Sequence, residues 1–189
     1  EISCSLVGSE MCIRDRFYQN NDIRQVMKPF MQKIADQEEE CVYLAVMSDL
    51  DVVYIDAAFP TASTGGRNMT GVTAPSYCTG IGKAILAFAH EEVIKRVEEG
   101  GMEPFTHNTI TDGEKLRKEL DQIRQRGFSI DNMEHEYGVK CVAVPIRNKE
   151  GAVIGAYSIS GPSPRFNADR IKRLAASLQN MAKQVKNQL

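Results

Sequence analysis

The chain has no surplus of basic residues: 23 lysines and arginines stand against 25 aspartates and glutamates, for a formal net charge of −2. A surface that grips duplex DNA needs a basic face to replace phosphate counterions, so these residues alone are not expected to hold DNA. Among the five cysteines, Cys4, Cys12, Cys41, Cys78 and Cys141, there is no C-x-x-C pair. That argues against a structural zinc site, and free thiols at irregular intervals suit a reducing, cytoplasmic setting. No apolar run reaches ~18 residues, so no membrane-spanning helix is expected. Internal repeats and low-complexity stretches are also missing. The phosphate-binding loop fails at Tyr77 and Ala84, and the dinucleotide fingerprint fails at Ile85. The nucleophile elbow fails at Ala156 and Ser160. Catalytic residues, a metal and a cofactor are therefore not expected.

What remains is an ordinary globular composition, 42% apolar and 25% charged, over 189 residues, enough for one domain with a sizeable core. Residues 1–16 show neither helical nor strand periodicity and resemble translated adapter sequence. They are set aside as a non-native leader, with Cys4 and Cys12. Residues 17–40 read as a linker and entry helix, and 41–189 as the main domain. Ile23, Met27, Phe30 and Ile34 follow helical spacing, with Pro29 either opening a second helical piece or kinking a longer one.

Two strand-like runs, Cys41–Met47 and Val52–Phe59, flank a turn at 48–51. A polar, glycine-rich loop covers 60–73. A helix opens near Thr79, its capping candidate, and carries Ile81, Ile85 and Phe88. Another spans 112–126, with a capping box at Thr111-Asp112-Gly113-Glu114, a stripe of Leu116, Leu120 and Ile123, and Gly127 as its stop. Strands follow near Val139–Ile146 and Ala152–Ser160. A last helix begins after Asn167, with Ile171, Leu174, Leu178, Met181 and Val185 on one face. Strand pairs joined by short turns, with helices between them, indicate an α+β fold around an antiparallel sheet.

Four places could carry chemistry. Gly80 and Gly82 flank Ile81 at a helix start, where unpaired amides attract an anion; a tight packing turn reads equally well. Cys141 shares a strand face with Val139 and Ala143, as a pocket thiol or simply as a small hydrophobe. Ser158 and Ser160, on either side of Ile159, point the same way from one strand, into a pocket or into solvent. Asp131, Glu134, His135 and Glu136 form an acidic cluster, of which His135 and Glu136 read as solvated. His90 and His107 have no argued role.

Taken in order, these blocks resemble the IclR family of transcriptional regulators. Pro75-Ser76-Tyr77-Cys78-Thr79-Gly80-Ile81-Gly82-Lys83-Ala84-Ile85-Leu86-Ala87 is similar to the family's P-x-x-C-T-A-x-G-K-A-x-L-A signature, with Gly80 for the common Ala. Phe105–Thr111, Asp131-x-x-Glu134, Gly138–Pro145 and Ser158-Ile159-Ser160-Gly161-Pro162 follow at the family's separations. The resemblance runs from about Ile23 to Leu189. It implies a GAF-like α+β domain that binds a small effector, often an organic acid, and forms homodimers or homotetramers.

It also implies an effector site at Gly80, Ile81, Gly82, Asp131, Cys141, Ser158, Ile159 and Ser160. Family members read DNA through an N-terminal winged helix-turn-helix. Nothing before Ile23 carries such a pattern, so DNA is expected as a partner only through that missing domain. Two alternatives stay open here: an oligomerisation module without a ligand, and a GAF-like thiol oxidoreductase using Cys78 and Cys141.

Overall fold

The computed structural model describes residues 23–62, 66–186 and 188–189; the expected leader over 1–16 lies outside the described residues. Helix α1 covers 23–38. Ile23, Met27, Met31, Ile34 and Ala35 make its buried stripe, while Phe30 is only partly buried. The helix runs through Pro29 as one piece, not two. Pro29 is exposed, so the carbonyl it leaves unbonded four residues back can turn to water.

Strands β1 (Cys41–Ser48) and β2 (Asp51–Ala58) form the expected hairpin, closed by a turn whose Asp49 has φ 55°. Next comes β3 (Thr73–Pro75), then helices α2 (Gly80–Leu86), α3 (Glu91–Glu99) and α4 (Gly113–Arg126). Strands β4 (Ser129–Asn132), β5 (Val139–Arg147) and β6 (Val153–Pro162) follow, and helix α5 (Ala168–Val185) closes the described fold. The six strands make one sheet in the order β3-β2-β1-β6-β5-β4, every neighbouring pair antiparallel. Among the described residues no helix is long and apolar enough to cross a membrane.

The caps explain where the helices begin. Thr79 accepts from the Gly82 amide at 3.2 Å and starts α2. On α4 the cap is Asp112, not Thr111: its extended backbone precedes the first helical residue and its carboxylate accepts from the free Lys115 amide. Gly127, at φ 77°, stops α4 in the left-handed conformation. Asn167 accepts from the Arg170 amide and opens α5.

Each face of the sheet has its own cover. Val42, Leu44, Val142, Val144, Ile146, Tyr157 and Ile159 pack with α1 and α5. The alternate positions include Tyr43, Ala45, Ala143 and Ala156, which pack with Ile81, Ala84 and Ile85 of α2. Behind α2, Cys78, Leu86, Ile94, Val97, Leu116, Leu120 and Ile123 form a third apolar cluster with α3 and α4. The alanines let α2 lie close to the strands. Ser129 fastens it there, donating to the Gly80 carbonyl at 2.5 Å.

Candidate effector site

Strand register sets two rows of side chains across the α2 face. Cys41, Ser160, Cys141 and Asp131 are successive cross-strand partners on β1, β6, β5 and β4. Tyr43, Ser158, Ala143 and Ser129 form the adjacent row. Between these rows, the loop carrying Arg67 and Met69, and the start of α2 lies a cavity of about 350 Å³.

Asp131, Cys141, Ser158 and Ser160 all line it, together with Thr79 and Ile81. Four of the eight expected residues thus converge from three strands, and Ile81 joins them from the helix. The other three do not reach it. Ile159 points to the opposite face, into the core under α1 and α5, because alternation carries the residue between two pocket serines to the far side. Gly80 is a packing residue: a Cβ there would lie 2.4 Å from Cys141 Sγ. At Gly82 a Cβ would lie 2.3 Å from the Ser76 carbonyl oxygen, against the preceding loop. The glycines let helix and strand approach; they do not line the cavity.

Burial dominates the electrostatics. Asp131 is 7% exposed, and desolvation pushes its carboxyl up to about 7. Its Oδ1 accepts from the Glu134 amide at 2.6 Å, which fixes the turn after β4. Glu134 in turn takes the buried Lys83 ammonium at 2.5 Å, with Glu119 at 3.7 Å on the other side. Burial also pushes the Cys141 and Cys78 thiols up to about 12. His135, contrary to the solvated reading, is half-buried and lines the cavity. It stacks on Phe105 with ring centroids 5.1 Å apart, and burial holds its imidazole below the usual range. Glu136 also lines the cavity, at its exposed edge.

The fold has known counterparts. The family described as bacterial transcriptional regulator IclR, C-terminal, matches residues 16–187. The chain belongs to the IclR family. It is 32% identical over 175 residues to the transcriptional regulator KdgR of Escherichia coli K12, covering 92% of this chain and 66% of that protein. The solved IclR of Thermotoga maritima superposes with a TM-score of 0.82 at 31% identity, over 93% of this chain and 72% of that one. A double mutant of the PobR inducer-binding domain from Acinetobacter, solved with 3-hydroxybenzoic acid, gives a TM-score of 0.81 at 25% identity. That match covers 87% of this chain and 98% of that one. The chain spans 63–66% of the length of the KdgR and IclR proteins of E. coli that it matches.

Such IclR-family relatives are transcriptional regulators and repressors, not enzymes. The thiols agree: Cys78 sits in the third apolar cluster away from the cavity, and neither it nor Cys141 is a ready thiolate. Among the described residues, no group of three His, Cys, Asp or Glu side chains is placed to hold a metal ion.

Several lining residues of this IclR-family domain escaped sequence reading. Cys41 and Tyr43 come from β1, where period-two alternation puts them on one face. Tyr54 and Arg67 carry no local signal, since they reach the cavity only through the pairing of β2 with β1 and the return of the 66–72 segment. Tyr43 donates its hydroxyl to the Arg67 carbonyl at 2.7 Å. Tyr54 meets Tyr43 edge-on, with centroids 5.8 Å apart.

Proposed function

We propose that this domain is the effector sensor of a DNA-binding, cytoplasmic IclR-type regulator, taking a small organic acid into the cavity under α2. The observation that carries this is the convergence of Asp131, Cys141, Ser158 and Ser160, distant in sequence, on one space of about 350 Å³. Hydroxyls donate to carboxylate or carbonyl oxygens at little electrostatic cost. Asp131 serves a ligand hydroxyl or a bound water. Tyr43, Tyr54 and Ile81 supply apolar wall, and the PobR domain with its hydroxybenzoic acid sets a precedent for guest size.

Binding acts by differential affinity for two arrangements of paired domains, and in the longer regulator that shift resets the spacing of the DNA-reading heads. Native mass spectrometry of the purified domain tests the sensor reading. A co-purifying organic acid, released by unfolding and lost in Ser158→Ala/Ser160→Ala, is the expected result. A thermal-shift screen complements it, since a ligand at 100 times its Kd stabilises by about 2.7 kcal/mol. No co-purifying acid and no stabilisation by any acid screened defeats the sensor reading and leaves an oligomerisation module.

A further inference from the structure

The cavity has unlike ends. At the inner end lie Asp131, Cys141, Ser158 and Thr79, all buried; at the outer end lie the exposed Arg67, Glu39 and Glu136. We propose that the guest lies with its carboxylate outward against Arg67 and a hydrogen-bond donor inward at Asp131, so that the cavity selects monocarboxylates bearing a distal hydroxyl or amine and discriminates against dicarboxylates. This orientation rests on the sensor reading above.

Three observations carry it. First, the start of α2 has little left for an anion. Thr79 takes the Gly82 amide at 3.2 Å through its hydroxyl and the Lys83 amide at 2.9 Å through its carbonyl. The Gly80 amide faces Cys141 Sγ. Second, among the described residues the inner end has no free cation. Lys83 is the charge that could offset Asp131, and it is engaged by Glu134 at 2.5 Å and by Glu119 at 3.7 Å. An incoming carboxylate would meet the Asp131 carboxyl with no counter-charge, whereas a hydroxyl or ammonium would find an acceptor there.

Third, the cation that is available stands at the other end. Of the two lining arginines, Arg165 lies 3.4 Å from Glu40, while Arg67 has no ion pair among the described residues. Its backbone is held in place: Tyr43 grips the Arg67 carbonyl at 2.7 Å. Gly71 and Val72 pair with Tyr54 at 2.8 and 3.0 Å just beyond. A guanidinium fork matches a carboxylate in two parallel bonds. The space is ample, since a benzene-sized guest needs only about 150 Å³.

Isothermal titration calorimetry at pH 8 tests the orientation with two series: benzoate, 3-hydroxybenzoate and isophthalate; and pentanoate, 5-hydroxypentanoate and hexanedioate. In each, the hydroxylated acid is expected to bind about tenfold more tightly than the plain acid, and the diacid more weakly than either. Arg67→Gln, an exposed change that leaves the fold intact by circular dichroism, weakens every monoacid about tenfold. Asp131→Asn keeps an oxygen for the Glu134 amide and reduces the hydroxyl's advantage. Acids that bind wild type and Arg67→Gln equally overturn the orientation while the sensor reading stands. A hydroxyl preference untouched by Asp131→Asn does the same. If no acid of either series binds, the organic-acid reading of the cavity falls and the orientation falls with it.

Discussion

The two faces of the sheet are made from the same strands and do opposite work. Toward α1 and α5 the strands present Val, Leu, Ile and Tyr157, almost all fully buried, with the Tyr157 hydroxyl bonded to the Leu178 carbonyl. Toward α2, strands β4, β5 and β6 present mostly Ala, Ser, Cys and Asp131, while Tyr43, Val52 and Tyr54 stand on the same side of β1 and β2. Large branched side chains interlock and leave no space, and small or polar ones cannot fill theirs. The comparison teaches that the cavity is the product of one face being under-filled while the other holds the fold together.

Breaking the charge network behind the cavity is expected to have the largest effect. Lys83→Met strands the buried Glu134 carboxylate and costs about 3–5 kcal/mol, read as a loss of chemical-denaturation stability. Adding Glu134→Gln in the same chain recovers part of it. If the double variant is no more stable than the single one, the pair is not what Lys83 supports.

The next effect sets the faces directly against each other. Ile159→Ala opens a void under α5 and costs about 3 kcal/mol, whereas Ser158→Ala, one residue away, costs under about 1 kcal/mol. Denaturant midpoints for the two variants check this, and equal losses would erase the distinction between the faces.

The smallest and most specific effect concerns pH. Asp131 has its pKa raised from 3.8 to about 7 by burial. A carboxyl so raised contributes stability that is complete below pH ~4 and lost as pH rises through ~7. Glu40 and Glu134 are shifted in the same direction, so the informative quantity is a difference. Thermal melts of wild type should fall more steeply between pH 5 and pH 8 than those of Asp131→Asn. Parallel curves would remove Asp131 from the account.

Much of this was legible from periodicity. The Leu116/Leu120/Ile123 stripe, Gly127 and the Ser158–Ser160 pair were readable because local spacing dictates facing, and the α2 block through its resemblance to the IclR signature. The misses have physical causes too. β3 has three residues and ends in Pro75, tolerable only on a sheet edge where no amide is needed. β4 has four residues, too few for alternation to register. α3 is short and charged, with only Ile94 and Val97 buried. The effector site that the resemblance implies includes Ile159 with its serine neighbours, but the period of a strand turns it into the opposite core. Arg67 and Tyr54 were out of reach of spacing, since only tertiary pairing brings them to the cavity.

Gly80 touches Cys141 so closely that a methyl group at position 80 would collide with the sulfur. The sulfur is a single-bond rotor at the cavity floor, and the cheapest relief is for it to swing into the open space. An alanine at 80 would therefore shrink the chamber without touching it. The size of the guest becomes a property of two positions read jointly, one on the helix and one on the strand, and substituting either alone changes the volume available to the other's neighbour.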